Sequence, residues 1–159
     1  MLSTLIGTHA FVGETGFLLF LWVFVELLSP TPDRIKRAIF IALLGTLAFF
    51  ASWFIGGYYY VTFYGSGSKL LIKGGPIPWA HDIFTEAKEH IFLFLPLLSI
   101  YAFVLLKKYK NEILQKPETK KALLLLVGVI ILIGLAMAGM GYIMSVGVRT
   151  ALEAGNVIQ

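Results

Sequence analysis

The chain has 159 residues, 58% of them hydrophobic and 14% charged, with a formal net charge of +4. Its mean hydropathy is +0.84, and its charged fraction is well under the roughly 25% of soluble domains, so a cytosolic or secreted globule is excluded and an integral membrane protein is expected. The absence of cysteine removes disulfides, thiolate metal sites and iron–sulfur ligation.

A spanning helix needs about 20 mostly apolar residues. Four segments qualify: residues 2–28, 38–64, 79–106 and 122–148. No run alternates like a barrel strand. The expectation is an all-α polytopic membrane protein, a single domain over 1–159, with four transmembrane helices in an up-down-up-down bundle. The first run has no basic segment before it and is too long for a signal peptide, so it reads as a retained helix. It stops at Ser29-Pro30-Thr31-Pro32, where proline ends a helix. The second ends in Gly65-Ser66-Gly67-Ser68. The connection that follows holds Lys69-Leu70-Leu71-Ile72-Lys73, placed on the membrane surface, and Gly74, Gly75, Pro76 and Pro78, which argue against regular helix there.

Arg34, Lys36 and Arg37 follow the first span, and Lys107, Lys108, Lys110, Lys116, Lys120 and Lys121 follow the third. The opposite side holds Lys69, Lys73, Lys88 and Arg149. The positive charge is therefore a topology signal rather than a nucleic-acid footprint: both basic loops are expected in the cytoplasm and both termini outside, in a plasma (inner) membrane.

On the first span, His9, Gly13 and Gly16 share one face, and a histidine above glycines leaves room for a flat group near the backbone; close helix packing gives the same pattern. Glu14 points elsewhere inside the apolar region, where it needs a partner or a proton; Lys88 and Arg149 are candidates. Glu26 is expected at the cytoplasmic boundary. The second span carries Ala48, Ser52, Gly56 and Tyr60 at four-residue spacing, a small-residue seam. The third opens with Asp82, Glu86, Glu89 and His90 on one polar stripe, with His81 half a turn out of phase. On the fourth, Met137, Met140 and Met144 fall on one face, read as gap-filling core or as thioether ligands.

Counting outward from the basic loops puts His9, Tyr58 to Tyr60, His90 and Tyr142 in one outer layer. His9 and His90 then suit the axial ligands of one haem b, with Gly13, Gly16 and Gly56 making room for the ring and His81 or Lys88 holding a propionate. A bare copper or iron site would draw on His9, His90, Asp82, Glu86, Met140 and Met144. A third reading is a non-catalytic anchor whose polar end is an interface. No nucleotide loop, catalytic triad or zinc-protease motif is present.

A histidine near the outer end of the first span, the Trp53-Phe54-Ile55-Gly56-Gly57 run and a second histidine on a later span together resemble small haem- or copper-associated membrane proteins. These are the membrane b-type cytochromes and the copper resistance D family. The resemblance covers the first two spans and implies haem or copper handling. The expected function is an electron-transfer or accessory subunit rather than a stand-alone enzyme. Expected partners are the bilayer, a membrane or extracytoplasmic redox protein, and further subunits of an oligomer or hetero-complex.

Overall fold

The computed structural model describes residues 2–157, and among them there are helices and connections but no strand. α1 (Leu2–Leu28) ends where Pro30 forces its predecessor out of helical geometry. α2 (Pro32–Tyr59) starts six residues ahead of the apolar run, for three local reasons. The Thr31 hydroxyl accepts from the Arg34 N–H at 3.3 Å, Pro32 takes the first helical position, and Asp33 sits in the first turn. Arg34, Lys36 and Arg37 thus stand on the first turns of α2 rather than in a loop. α2 continues as a π-helical segment, Tyr60–Tyr64.

The surface connection is more ordered than its glycines and prolines predict. α3 (Ser68–Gly74) is a seven-residue helix that buries Ile72 against Gly147 of the last helix. The third span is built in pieces: a π-helical segment Ala80–Thr85, α4 (Glu86–Ile91) and α5 (Phe94–Lys108). The break at Phe92 and Leu93 has a cause in Pro96, whose ring lacks an N–H and crowds the carbonyl four residues back. α6 (Glu112–Gln115) is a single turn, and α7 (Pro117–Val157) is a 41-residue helix that again begins on a proline.

Four stretches are long and apolar enough to cross a membrane: Thr4–Leu28, Pro32–Tyr64, Ala80–Lys108 and Pro117–Gly155. α1 packs on α2 and α7, and α5 packs on α2 and α7, so α1 and the third span stand on the diagonal of a four-helix ring. The start of α1, the end of α7 and the 65–79 connection lie at one end, here the terminal end; the 29–31 and 109–116 connections mark the loop end.

The α1–α2 contact is the tightest in the bundle. Phe20 of α1 lies over Gly45 and Phe49 of α2 lies over Gly16; a Cβ at either glycine would stand 2.8 Å from the facing ring. The two rings stack at 5.7 Å. Around them Val23, Leu27, Ile41, Ala102, Leu106, Val127 and Ile130 close the core.

The loop end is fastened by Glu26, which is only 5% exposed. Its carboxylate accepts from Arg34 Nε at 2.7 Å, Arg37 Nε at 3.1 Å and Trp22 Nε1 at 3.0 Å. Arg34 also donates to the Val25 and Ser29 carbonyls at 2.9 and 3.0 Å, and Lys120 Nζ donates to the Leu28 carbonyl at 3.2 Å. These are the acceptors that the end of α1 leaves without helical partners. Glu26→Ala would strand two guanidinium groups at this corner and is expected to cost about 2 kcal/mol, read as a lower unfolding temperature in detergent, with Asp33→Ala at the exposed neighbouring pair nearly neutral.

Candidate functional site

His9 is the best-defined polar group inside the terminal half of the bundle. Its Nδ1 lies 2.8 Å from the Ser52 carbonyl oxygen and 3.0 Å from Ser52 Oγ. A carbonyl can only accept, so Nδ1 carries the proton and donates. The Ser52 hydroxyl spends its own proton on the His9 carbonyl at 2.9 Å. In the neutral ring this leaves Nε2 with a free lone pair, the state in which imidazole binds a metal.

Glycines set the ring in place. A Cβ on Gly56 would stand 2.5 Å from His9 Nδ1 and Cε1, and one on Gly13 would stand 2.9 Å from Ser52 Oγ. Gly13, Gly16 and Gly56 were expected to make room for a cofactor. In the structure each holds a protein side chain instead, Ser52, Phe49 and His9 respectively, so the three glycines serve the close α1–α2 packing.

The group that enters this layer from the third span is Lys88. Its ammonium lies 3.3 Å from where a Gly141 side chain would begin. Among the described residues no carboxylate pairs with it. Phe92 lies against Trp53 of α2, ring centroids 6.4 Å apart, at the same level.

His90 is placed differently from expectation. It is exposed, and its Nδ1 is spent on the Glu86 carbonyl of its own helix at 2.6 Å. The inward face of this span runs through Thr85, Lys88, Leu95, Ser99, Ala102 and Leu106; two residues past Lys88, a helix of 3.6 residues per turn has rotated to the opposite side. His9 and His90 therefore share a depth but not a space within one chain. Asp82 and Glu86 are exposed on the same outward stripe, and Asp82 pairs with Lys73 at 3.3 Å. Among the described residues no group of three or more His, Asp or Glu side chains comes together to hold a metal ion, so the set His9, Asp82, Glu86 and His90 does not assemble.

His81 belongs to a second polar group. It is 3% exposed, and its Nδ1 lies 2.8 Å from the Tyr64 hydroxyl, which lies 3.0 Å from Thr85 Oγ1. This group joins the two π-helical segments, where an extra residue per turn swings a side chain off the α-helical phase. The methionines pack: Met137 and Met140 in the main core, Met144 in a separate cluster with Tyr64, Ile72 and Ala80. Glu14 is exposed and meets neither Lys88 nor Arg149; the latter pairs with Glu153 at 3.3 Å.

The sequence reading missed Ser52 as the anchor of His9 and Tyr64 as the partner of His81, and it kept Lys88 at the surface. A signal existed for Ser52, the one hydrogen-bonding residue between Ala48 and Gly56 on the small-residue seam. A surface hollow of about 360 Å³ between α5 and α7, lined in part by Tyr101, Leu105, Tyr109 and Leu126, lies at the loop end, away from all three histidines.

Comparison with protein-family models, curated proteins and solved structures finds no match for this chain. The seat of His9 makes its own prediction. Gly56→Ala would push the ring off Ser52 and is expected to destabilise by about 1–3 kcal/mol, whereas Gly57→Ala, where a Cβ meets nothing within 4 Å, stays close to the parent in thermal unfolding.

Proposed function

We propose that this protein is a membrane electron-transfer subunit that takes a haem b in its terminal half, with His9 Nε2 as an axial ligand. The observation that carries the reading is the 2.8 Å approach of His9 Nδ1 to the Ser52 carbonyl, which calls for a proton on Nδ1; a ligating histidine is held in the same way by a bond from its other nitrogen. Lys88 supports it as an inward cation with no carboxylate partner among the described residues, a group that would hold a propionate. A bare copper or iron ion on His9 has less support, because among the described residues no group of three His, Asp or Glu side chains gathers to hold one.

A second reading, a membrane anchor for a redox partner, draws on the exposed stripe of Asp82, Glu86 and His90 at the terminal end. The bias of Lys and Arg toward the loop end supports an orientation with both termini outside the plasma (inner) membrane and the loop end in the cytoplasm.

Purified protein is expected to show a Soret band that sharpens on dithionite reduction. His9→Ala abolishes it, Lys88→Ala alters it, and His90→Ala leaves it unchanged. A colourless, metal-free protein that co-purifies with other subunits contradicts the haem reading and favours the anchor. Because the chain lacks cysteine, orientation is tested by single labels: Ser66→Cys is expected to react with an impermeant maleimide on intact cells, and Asn111→Cys only after permeabilisation.

A further inference from the structure

One charged side chain faces the wrong medium. Glu14 stands one residue from the midpoint of α1 (Leu2–Leu28), on the face turned away from α2 and α7. The same face carries Gly7, Phe11, Leu18, Leu21 and Val25, all exposed, with Phe11 at 70% and Leu18 at 56%. Every other exposed Asp, Glu, Lys or Arg on the four long stretches lies within about two turns of an end. Among the described residues Glu14 has no hydrogen bond or ion pair through its side chain. A lone carboxyl at mid-depth against hydrocarbon is costly and calls for a polar partner.

We infer that this face of α1 packs against the same face of a second copy of the chain, with the two Glu14 carboxyls in contact across a two-fold axis along the membrane normal. Three observations favour a copy over another occupant. The positions 7, 11, 14, 18, 21 and 25 repeat at alternating steps of four and three, the heptad spacing of two helices crossing at a shallow angle. A two-fold axis sets each residue opposite itself at equal depth, so Glu14 meets Glu14 without any adjustment of register. A carboxyl group can pair with its own kind: a protonated carboxyl donates its O–H to an oxygen of the facing one. Among the described residues the other exposed Asp, Glu, Lys and Arg of the four long stretches lie near the ends, so an unsymmetrical contact between copies sets Glu14 against apolar side chains. Gly7 is free to take part, since a Cβ there meets nothing within 4 Å in the single chain. The inference stands apart from the reading of His9, which lies on the opposite face of α1.

The natural absence of cysteine makes the test direct. Phe11→Cys, Leu18→Cys and Leu21→Cys, each alone in liposomes of the purified protein and in native membranes, are expected to give disulfide-linked dimers of the chain under mild oxidation. Phe40→Cys on α2 and Leu132→Cys on α7, equally exposed, stay monomeric. Adding Glu14→Leu to Leu18→Cys lowers the dimer yield about tenfold, the size of one interhelical hydrogen bond in a membrane, while Glu14→Gln, which keeps a donor and an acceptor, preserves it. Equal cross-linking at the α2 and α7 controls, a link to a different protein, or a yield unmoved by Glu14→Leu would overturn the inference.

Discussion

The close approach of α1 and α2 is the constraint from which the rest of the bundle follows. Phe20 fits over Gly45 and Phe49 over Gly16, a reciprocal exchange that any side chain at either glycine would block. In a bilayer, where lipid tails are as apolar as leucine, such packing and the hydrogen bonds it permits hold helices together. One such bond pair, between His9 and Ser52, lies one to two turns farther along the same seam. The feature that fixes the fold therefore also fixes the imidazole, with one nitrogen committed and the other free. At the far end of the seam Glu26 with Arg34 and Arg37 closes the α1–α2 corner.

The third span is the counterpoint, because it is not one straight helix. The π-helical segment Ala80–Thr85 and the break ahead of Pro96 set the phase between them. His81 turns in toward Tyr64, Lys88 turns in toward the His9 layer, and His90 turns out. The result is an interior with an imidazole from α1 and a cation from the third span that has no carboxylate partner among the described residues, and an exterior stripe of acids with an imidazole. The proposed electron-transfer function draws on the first, and the second reading, a membrane anchor, on the second.

Much of this was legible in the residues. Hydropathy and length specify four spanning helices, and the end of α1 at Leu28 follows from the prolines after it. The starts of α2 and α7 were read several residues late, because an apolar run marks where the bilayer begins and not where the helix begins; Pro32 and Pro117, each at a first helical position, mark the true starts. Depth counting placed His9 and His90 at one level. The 3.6-residue period also put Asp82, Glu86 and His90 on one stripe with His81 away from it, as in the structure, but that stripe faces outward rather than into the bundle. The small-residue pattern on α1 and α2 had two readings, cofactor groove or close packing, and only coordinates reveal that Ser52, Phe49 and His9 occupy those spaces.

The tautomer of His9 carries the functional account, and nitrogen NMR of protein labelled at its histidines reads it directly. His9→Ala assigns the resonance by its loss. The account predicts a protonated, pyrrole-type Nδ1 that stays protonated in Ser52→Ala, which keeps the backbone carbonyl, and an Nε2 of pyridine type or shifted by a bound metal. A protonated Nε2 with a bare Nδ1 would mean that the Ser52 carbonyl does not hold the ring and that no ligand nitrogen faces the bundle interior, and the account would be contradicted.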